Sequence, residues 1–167
     1  MGLPGSGKST VGRQLGRKLN LEFFDSDLVI EQHFGCSIRQ FFEREGEPAF
    51  RAIEQEVVDD LTQRANCVVS TGGGVILHSA NREKLKTRCQ TIYLQCSPEE
   101  IFRRLRHDQN RPLLQVANPL EKLKELYAVR DPLYREAAHF VVQTGRPSIA
   151  VLVNLIVSQL YPSDTAL

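Results

Sequence analysis

The chain has 167 residues, which favours a single domain with a substantial hydrophobic core. Hydrophobic residues make up 41% of the sequence and charged residues 25%, and the formal net charge of +1 gives no broad field for gathering nucleic acid or an anionic membrane. No apolar run approaches the ~20 residues of a membrane span, and the four cysteines form no metal-binding spacing. We therefore expect reduced thiols in a cytoplasmic protein.

Short apolar runs alternate with helical patterns along the chain. Val11, Leu15 and Leu19 recur every four residues and predict a first helix over 8–20. Further helices are predicted at 28–33, from Ser37, from Glu47, at 80–88, from Ser97, at 119–130 and at 149–160, with more helix after the segment 131–134. Strands are predicted at 21–24, 67–70, 91–94 and 139–142. This alternation predicts one α/β domain over 1–167, with a parallel sheet covered by helices on both faces.

The first residues match the phosphate-binding pattern G-x-x-x-x-G-K-[ST], from Gly2 to Ser9. Backbone N–H groups of such a loop converge on phosphate oxygens, and the helix that follows adds its positive end. Lys8 is predicted to reach the β- and γ-phosphates, and the Ser9 hydroxyl is predicted to bind Mg²⁺. The pattern indicates a nucleotide without saying what happens to it.

A pair of carboxylates, Asp25 and Asp27, follows the first predicted strand. Ligand sites collect at the carboxyl ends of parallel strands, so one carboxylate is a candidate for the metal and the other for deprotonating an acceptor hydroxyl. A helix cap or a turn is the alternative interpretation.

Three consecutive glycines, Gly72 to Gly74, follow the second predicted strand. They indicate either a close approach of a ligand or a flexible turn. That strand lacks the terminal aspartate of generic ATPases, and the chain has no Asn-Lys-x-Asp segment, so neither a motor ATPase nor a GTPase is favoured.

Several arginines are candidates for gripping a carboxylate or a phosphoryl group. Arg51 and Glu54 are three residues apart on the predicted polar side of a helix whose apolar stripe contains Phe50, so a surface ion pair is the alternative for them. Arg111 and Arg130 are further candidates, each of which is otherwise a solvated surface charge.

Taken in order, the motifs resemble those of the shikimate kinase family. They are G-L-P-G-S-G-K-S-T, D-S-D, F-R-A-I-E, T-G-G-G, R-P-L-L, R-D-P-L-Y and a late G-R-P, and they extend from residue 2 to residue 147. The resemblance implies a P-loop fold of the nucleoside-monophosphate-kinase type, a three-layer sandwich with a five-stranded parallel sheet and a mobile lid near 106–118. It also implies transfer of the ATP γ-phosphate to the 3-hydroxyl of shikimate, a step toward chorismate and the aromatic amino acids.

The resemblance also assigns roles to individual residues. The catalytic residues would be Lys8, Asp27 and Arg111, with Asp27 as the base, and Mg²⁺ would be held by Ser9 and Asp25. Those assigned to ATP are Gly2, Pro4, Gly5, Ser6, Gly7, Lys8, Ser9, Thr10, Arg104, Arg111 and Arg146. Arg103 and Arg106 compete with Arg104 for the contact with adenine. Those assigned to shikimate are Asp27, Arg51, Gly72, Gly73, Gly74 and Arg130, with Glu54 orienting Arg51. A monomer that binds only these small molecules is expected.

Two features leave alternatives open. A gluconate-type sugar-acid kinase shares the loop and the fold, although F-R-A-I-E and R-D-P-L-Y favour shikimate. The family also has an apolar strand directly before the phosphate loop, where this sequence shows only Met1. We expect either that the natural protein begins earlier, or that the chain is an inactive fragment or binding module that takes a strand from a partner.

Overall fold

The computed structural model describes residues 1–108 and 115–163. Strands and helices alternate along the chain as the sequence predicts. The strands are β1 (Glu22–Asp25), β2 (Cys67–Ser70), β3 (Ile92–Gln95) and β4 (Phe140–Gln143). The helices are α1 (Lys8–Leu19), α2 (Ser26–Phe34), α3 (Ile38–Glu45), α4 (Glu47–Gln63), α5 (Ser79–Arg88), α6 (Pro98–Leu105), α7 (Pro119–Ala137) and α8 (Ile149–Leu160). A short 3₁₀ turn, Val75–Leu77, lies between β2 and α5.

Local sequence explains where most helices begin. The Ser37 hydroxyl accepts from the Gln40 N–H and the Gln40 side chain accepts from the Ser37 N–H, which closes a capping box at the start of α3. Ser97 and Ser148 cap α6 and α8 in the same way with their hydroxyls. These helix starts were predicted from the sequence, and they are confirmed.

The strands pair in parallel, as predicted. β1 lies beside β2 with Glu22 opposite Cys67, and β3 lies beside β4 with Ile92 opposite Phe140. Within the described residues these are two separate two-stranded sheets rather than one continuous sheet. Met1 lies along the edge of β3 that is not paired with β4, where its carbonyl accepts from the Leu94 N–H at 2.9 Å.

Helices cover both faces of the strands, which gives three layers. Leu94 points into a cluster with Val11 of α1 and Ile156 of α8. Its neighbour Tyr93 points the other way, into a cluster with Leu85 of α5. Successive residues of a strand face opposite sides, so adjacent positions of β3 fill both halves of the core.

Two predictions about helices need correction. The segment 131–134 does not interrupt the helix, because α7 continues through Pro132 to Ala137. A proline inside a helix costs about 3 kcal/mol. Contacts of its neighbours offset that cost, since Tyr134 is fully buried and stacks on Tyr93 with ring centroids 4.8 Å apart.

The second correction concerns the buried face of α4. Glu54, predicted on the polar side, is only 1% exposed, and it lies on the same face as Phe50, Val58 and Leu61. Glu54 points toward the backbone that follows β2, a neighbour that the helical pattern does not reveal. Within the described ranges, none of the helices is both long and apolar enough to cross a lipid bilayer.

Candidate active site

The phosphate loop, residues 2–9, connects the edge of β3 to the start of α1. Gly7 occupies the left-handed region at φ 93°, which turns the loop directly into the helix. The Ser6 N–H donates to the Leu3 carbonyl at 3.1 Å, and Lys8 Nζ donates to the same carbonyl at 2.9 Å. The lysine is thus folded over its own loop at the amino end of a 12-residue helix, an arrangement that attracts anions.

Ser9 and Asp25 meet beside this loop. The Ser9 hydroxyl donates to Asp25 Oδ2 at 2.6 Å. The other carboxylate oxygen, Oδ1, accepts from the Asp27 N–H at 3.0 Å and caps α2. The cap and the metal-ligand interpretations of Asp25 are therefore compatible, because each uses a different oxygen. No group of three or more His, Cys, Asp or Glu residues suited to a metal occurs in the described part of the chain.

Asp27 lies in the first turn of α2, half-buried at the end of β1. A β-carbon built on Gly72 would be 2.7 Å from Asp27 Oδ1 and 3.1 Å from Glu54 Oε2, so both carboxylates approach the bare backbone there. Burial, reinforced by the negative charges of Asp25 and Glu54, raises the pKa of Asp27 to about 6, while Lys8 opposes that shift. Asp27 therefore exchanges its proton close to neutral pH.

Arg51 is held from several directions. Its Nη1 donates to Glu54 Oε1 at 2.8 Å, and a longer ion pair at 3.2 Å joins it to the exposed Glu47. Its guanidinium lies 5.3 Å from the Phe50 ring centroid and against the backbone of Gly74. Burial raises the pKa of Glu54, and Arg51 opposes that shift. Because Glu54 is buried, the surface ion pair alternative is wrong.

Tyr134 links Arg130 to the glycine turn. The Tyr134 hydroxyl donates to the Gly73 carbonyl at 2.5 Å, and the Arg130 side chain hydrogen-bonds the same hydroxyl. Burial raises the pKa of Tyr134, and the positive charges of Arg130 and Arg51 oppose the shift. Arg51, Glu54, Arg130 and Tyr134, together with the turn 72–74, form what we call the acceptor cluster.

A cleft of about 620 Å³ lies beside the phosphate loop, and the acceptor cluster contributes Gly73 to its lining. Lys8, Ser9, Asp25, Asp27 and Gly73 all line it. A β-carbon on Gly73 would be 2.9 Å from the Pro4 ring, so the glycine turn packs directly on the phosphate loop. The phosphate loop, which can bind phosphate, thus adjoins the acceptor cluster, which can bind an anion that carries hydroxyl groups.

Comparisons with known proteins decide the family. A family profile described as shikimate kinase matches residues 4–161. The chain belongs to the shikimate kinase family. It is 59% identical to the shikimate kinase of Paracidovorax citrulli over 96% of this chain and 89% of that protein. It is 48% identical to the shikimate kinase of Methylococcus capsulatus over 100% of this chain and 93% of that protein.

A solved structure supports the same family and fold. The shikimate kinase of Acinetobacter baumannii in complex with shikimate superposes with a TM-score of 0.93 at 44% identity, covering 99% of this chain and 92% of that one. The α/β P-loop fold is thereby confirmed, and so is the ATP-dependent phosphotransferase class.

The structure brings most of the residues assigned by resemblance to the shikimate kinase family to this region. Arg104 lines the cleft and its Nη1 donates to the Gly5 carbonyl at 3.3 Å, whereas Arg103 points outward and is 66% exposed. The pKa of the Glu100 carboxyl is lowered mainly by Arg103, and further by Arg104 and Arg146. Arg146 therefore lies near Glu100, and it is exposed. Thr10 lines the cleft as well. Arg111 lies outside the described residues.

Sequence reasoning missed the role of Tyr134 in this shikimate kinase family site. In the sequence, Tyr134 stands out only as the last residue of R-D-P-L-Y. Its aromatic partner Tyr93 donates its hydroxyl to Asp131 at 2.8 Å, which anchors α7 beside Arg130. The sequence does contain one indication of this contact. A tyrosine on the apolar side of a helix is expected to be buried, and a buried tyrosine hydroxyl needs a hydrogen-bond partner.

Proposed function

We propose that the chain transfers the γ-phosphoryl group of ATP to the 3-hydroxyl of shikimate, giving shikimate 3-phosphate and ADP. One observation carries the proposal. Asp27 lines the same cleft as Lys8 and Ser9. Its carboxylate and that of Glu54, a member of the acceptor cluster, both approach the backbone of Gly72. The Asp27 carboxylate therefore lies between the phosphate loop and the acceptor cluster. Phosphoryl transfer to a hydroxyl acid requires a base in this position, between the phosphate and the bound acid.

The phosphate loop can bind the triphosphate through its backbone N–H groups and through the positive charge of Lys8. The N–H groups of the phosphate loop and the start of α1 would hold the phosphate oxygens, and Lys8 would neutralise the transferring group. Arg104 lines the cleft, and both Arg104 and Arg146 lie near Glu100, a position suited to the adenine base. A role for Arg111, carried by a lid near 106–118, remains a prediction.

The oxygens beside the loop fit Mg²⁺. Ser9 and Asp25 offer a hydroxyl and a carboxylate that already touch, which are hard donors of the kind Mg²⁺ prefers. The buried Thr71 hydroxyl lines the same cleft and has no hydrogen-bond partner among the described residues, so it can bind a water of the metal's shell. Bound there, Mg²⁺ would neutralise charge on the phosphates. Few protein ligands are needed, because Mg²⁺ keeps several waters.

Asp27 is the base in this proposal. With a pKa of about 6 it is mostly ionised at pH 7.5, yet basic enough to accept the proton of the attacking hydroxyl. Its position at the start of α2 aims it between the loop and the acceptor cluster. Proton transfer to Asp27 Oδ1 or Oδ2 would leave the substrate oxygen ready to form its bond to phosphorus.

The arginines of the acceptor cluster support binding of a carboxylate. Arg51 and Arg130 both lie close enough to the buried carboxylate of Glu54 to act on it, and guanidinium groups of this kind can also bind a substrate carboxylate. The exposed Glu47 adds only a solvent-screened contact. The second oxygen of Glu54, Oε2, is buried beside Gly72 and has no hydrogen-bond partner within the described ranges. An acid with several hydroxyl groups matches this combination.

The test measures ADP release from ATP with shikimate, gluconate and a nucleoside monophosphate as separate acceptors. We expect turnover with shikimate, dependence on added Mg²⁺ and loss of turnover in Asp27→Asn. Turnover with gluconate at a higher kcat/KM would reassign the acceptor while keeping the sugar-acid kinase class. Hydrolysis of ATP at the same rate without any acceptor would overturn the proposal. The expectations of a monomer and of a cytoplasmic location remain predictions.

A further inference from the structure

The turn of α7 that carries Arg130 lacks one backbone hydrogen bond. Pro132 has no N–H, so the carbonyl of Ala128 receives no donor from within the helix. Arg130 lies inside the turn 128–132 that this bond would close. Helices usually kink at such positions, and the direction of every side chain in the turn changes when they do. The position of Arg130 therefore depends on contacts made outside the helix backbone.

Hydrogen bonds from β3 meet this part of α7. The Tyr93 hydroxyl donates to Asp131 Oδ1 at 2.8 Å, and Gln95 Nε2 donates to the same oxygen at 3.2 Å. Gln95 Nε2 also donates to the Tyr127 hydroxyl at 2.8 Å, one turn earlier in the helix. One strand thus holds two successive turns of α7. We call Tyr93, Gln95, Tyr127 and Asp131 the β3–α7 clamp.

The charge states of the clamp favour a strong bond. Asp131 Oδ2 accepts from Arg135 Nε at 3.0 Å, so both carboxylate oxygens are used. Burial alone would raise the pKa of Asp131, but hydrogen bonds from Tyr93 and Arg135 lower it below its ordinary value. Burial and the contact with Asp131 raise the pKa of Tyr93. A neutral donor therefore faces an ionised acceptor, which makes a stronger hydrogen bond than two neutral groups do.

The strand end of the clamp is fixed by packing. Tyr93 is fully buried, and its ring stacks on Tyr134 of α7 with the centroids 4.8 Å apart. Tyr134 in turn donates to the Gly73 carbonyl of the glycine turn. Contacts from one buried residue of β3 thus reach α7 both at Asp131, directly after Arg130, and at Tyr134, one turn beyond it.

Asp131 is close to the acceptor cluster without facing the cleft. It follows Arg130 directly in the chain, and it is not among the described residues that line the cleft. Its carboxylate is directed to β3 by the hydrogen bonds of Tyr93 and Gln95. Any effect of Asp131 on the substrate must therefore act through the helix.

We propose that Asp131 is a positioning residue for shikimate, whose bonds to β3 hold the α7 turn 128–132 so that Arg130 is aimed at the substrate carboxylate. The role rests on the proposed function, because it concerns how the proposed substrate is held. Removal of the carboxylate leaves the turn with neither its backbone bond nor its clamp. Arg130 then occupies several positions, and binding of a carboxylate weakens because its geometry is no longer preorganised.

The experiment compares variants of the clamp in the full chain. Asp131→Ala removes the acceptor, whereas Asp131→Asn keeps an oxygen for Tyr93 and Gln95. Tyr93→Phe removes the donor and keeps the stacked ring, and the double variant Asp131→Ala with Tyr93→Phe removes both partners. The readouts are kcat, the KM for shikimate, the KM for ATP, Tm, and amide hydrogen exchange over residues 128–136.

We expect Asp131→Ala to raise the KM for shikimate about 5- to 20-fold and to speed exchange over 128–136, with the KM for ATP unchanged. Asp131→Asn should stay within about twofold of the wild type, since it keeps the bonds to β3. The double variant should have nearly the same KM as Asp131→Ala alone, because both changes remove one bond.

Two controls separate positioning from stability and from surface charge. Ile156→Val removes a buried methyl group from the cluster of α1 and α8, and it should lower Tm by about 2–4 °C without changing the KM for shikimate. Arg135→Leu removes the half-exposed partner of Asp131 and leaves both bonds to β3. It should change the KM for shikimate by less than about twofold.

A lower Tm in Asp131→Ala with an unchanged KM for shikimate would overturn the positioning role. If Asp131→Ala does not fold, Tyr93→Phe decides: a rise of about two- to fivefold in the KM for shikimate supports the role, and an unchanged KM overturns it. A wild type without turnover on shikimate would contradict the proposed function. In that case faster exchange over 128–136 in Asp131→Ala, but not in Asp131→Asn, would still support the clamp, and equal exchange would overturn it.

Discussion

On the nucleotide side of the cleft, the groups that face a phosphate come from one run of chain, residues 2–9, with Asp25 added from β1. On the acceptor side they come from α2, α4, the turn after β2, and α7, which span the chain from Asp27 to Tyr134. The first region is built mainly from backbone N–H groups and one lysine. The second is built from side chains that hold one another, with Glu54 on Arg51 and Tyr134 between Arg130 and Gly73.

This difference determines how each region responds to change. Backbone groups tolerate substitution of neighbouring side chains, so nucleotide binding should change little unless the loop itself is altered. The acceptor cluster has shared partners, so removal of one member leaves another buried and unpaired. Mutations in the acceptor cluster should therefore affect the KM for shikimate and the stability together, while leaving the KM for ATP nearly unchanged.

The largest effect is expected at Asp27, where the two regions meet. Asp27→Asn removes the base, and kcat should fall by about 10²- to 10⁴-fold in a coupled ADP assay. Asp60→Asn is the matched control, because Asp60 lies on α4 in an exposed ion pair with Arg64 at 2.8 Å. Retention of activity within tenfold in Asp27→Asn would exclude Asp27 as the base.

The raised pKa of Asp27 allows a second test of this residue, through the dependence of activity and stability on pH. In the wild type, kcat/KM should rise with pH through about 6, and this step should disappear in Asp27→Asn. Stability should change in the opposite sense. Since the folded-state pKa is raised, Asp27 contributes stability that is complete below pH ~4 and lost as pH rises through its folded-state pKa. Asp27→Asn should therefore have the higher Tm at pH 7.5 and an equal Tm at pH 4.

The second largest effect is expected at Arg51. Arg51→Leu should raise the KM for shikimate about 10- to 100-fold, the loss of a charged hydrogen bond, with the KM for ATP unchanged. It should also lower Tm, because Glu54 loses its partner while buried. Arg51→Leu combined with Glu54→Gln should recover Tm without recovering KM. Arg39→Leu, which breaks an exposed pair with Glu43 at 3.1 Å, is the control.

A smaller effect is expected at Tyr134. Tyr134→Phe keeps the stack on Tyr93 and removes only the hydroxyl that joins Gly73 to Arg130. A lost hydrogen bond of about 1 kcal/mol predicts a rise of roughly fivefold in the KM for shikimate and a Tm lower by about 2–4 °C. Tyr161→Phe, at a residue 62% exposed, should change neither quantity. A fall in Tm without any change in KM would limit Tyr134 to a packing role.

The smallest effect separates the neighbouring arginines of α6. Arg104→Ala should raise the KM for ATP about two- to fivefold, the range for an exposed cation–π contact with a base. Arg103→Ala should leave it unchanged, because Arg103 pairs with Glu100 outside the cleft. The KM for shikimate serves as the internal control for both variants. Equal effects of the two substitutions would remove the assignment of Arg104.

Helix starts, strand positions and the phosphate loop were predictable because their causes are local. The Ser37 hydroxyl caps α3 with a partner three residues away, and Gly7 turns the loop into α1 within one residue. Asp25 was ambiguous between a cap and a metal ligand for the same reason. Both interpretations depend on neighbouring residues, and the structure shows that one oxygen of Asp25 caps α2 while the other accepts from the Ser9 hydroxyl.

Glu54 and Tyr134 were beyond local reasoning. The helical pattern placed Glu54 among polar residues, and only the approach of Gly72 in the turn after β2 shows that this carboxylate is buried beside Asp27. Pro132 predicted an interruption that the stack of Tyr134 on Tyr93 overrides. In each case the deciding neighbour comes from a strand or turn distant in the sequence.

The sequence by itself determined the elements, the phosphate loop and the family, because spacing within a few residues sets hydrogen bonds, caps and motif order. Only the tertiary structure decided how the acceptor cluster assembles. The physical reason is that burial and pairing depend on which distant segments pack together. The burial of the Glu54 carboxylate therefore becomes visible only after those segments have packed together.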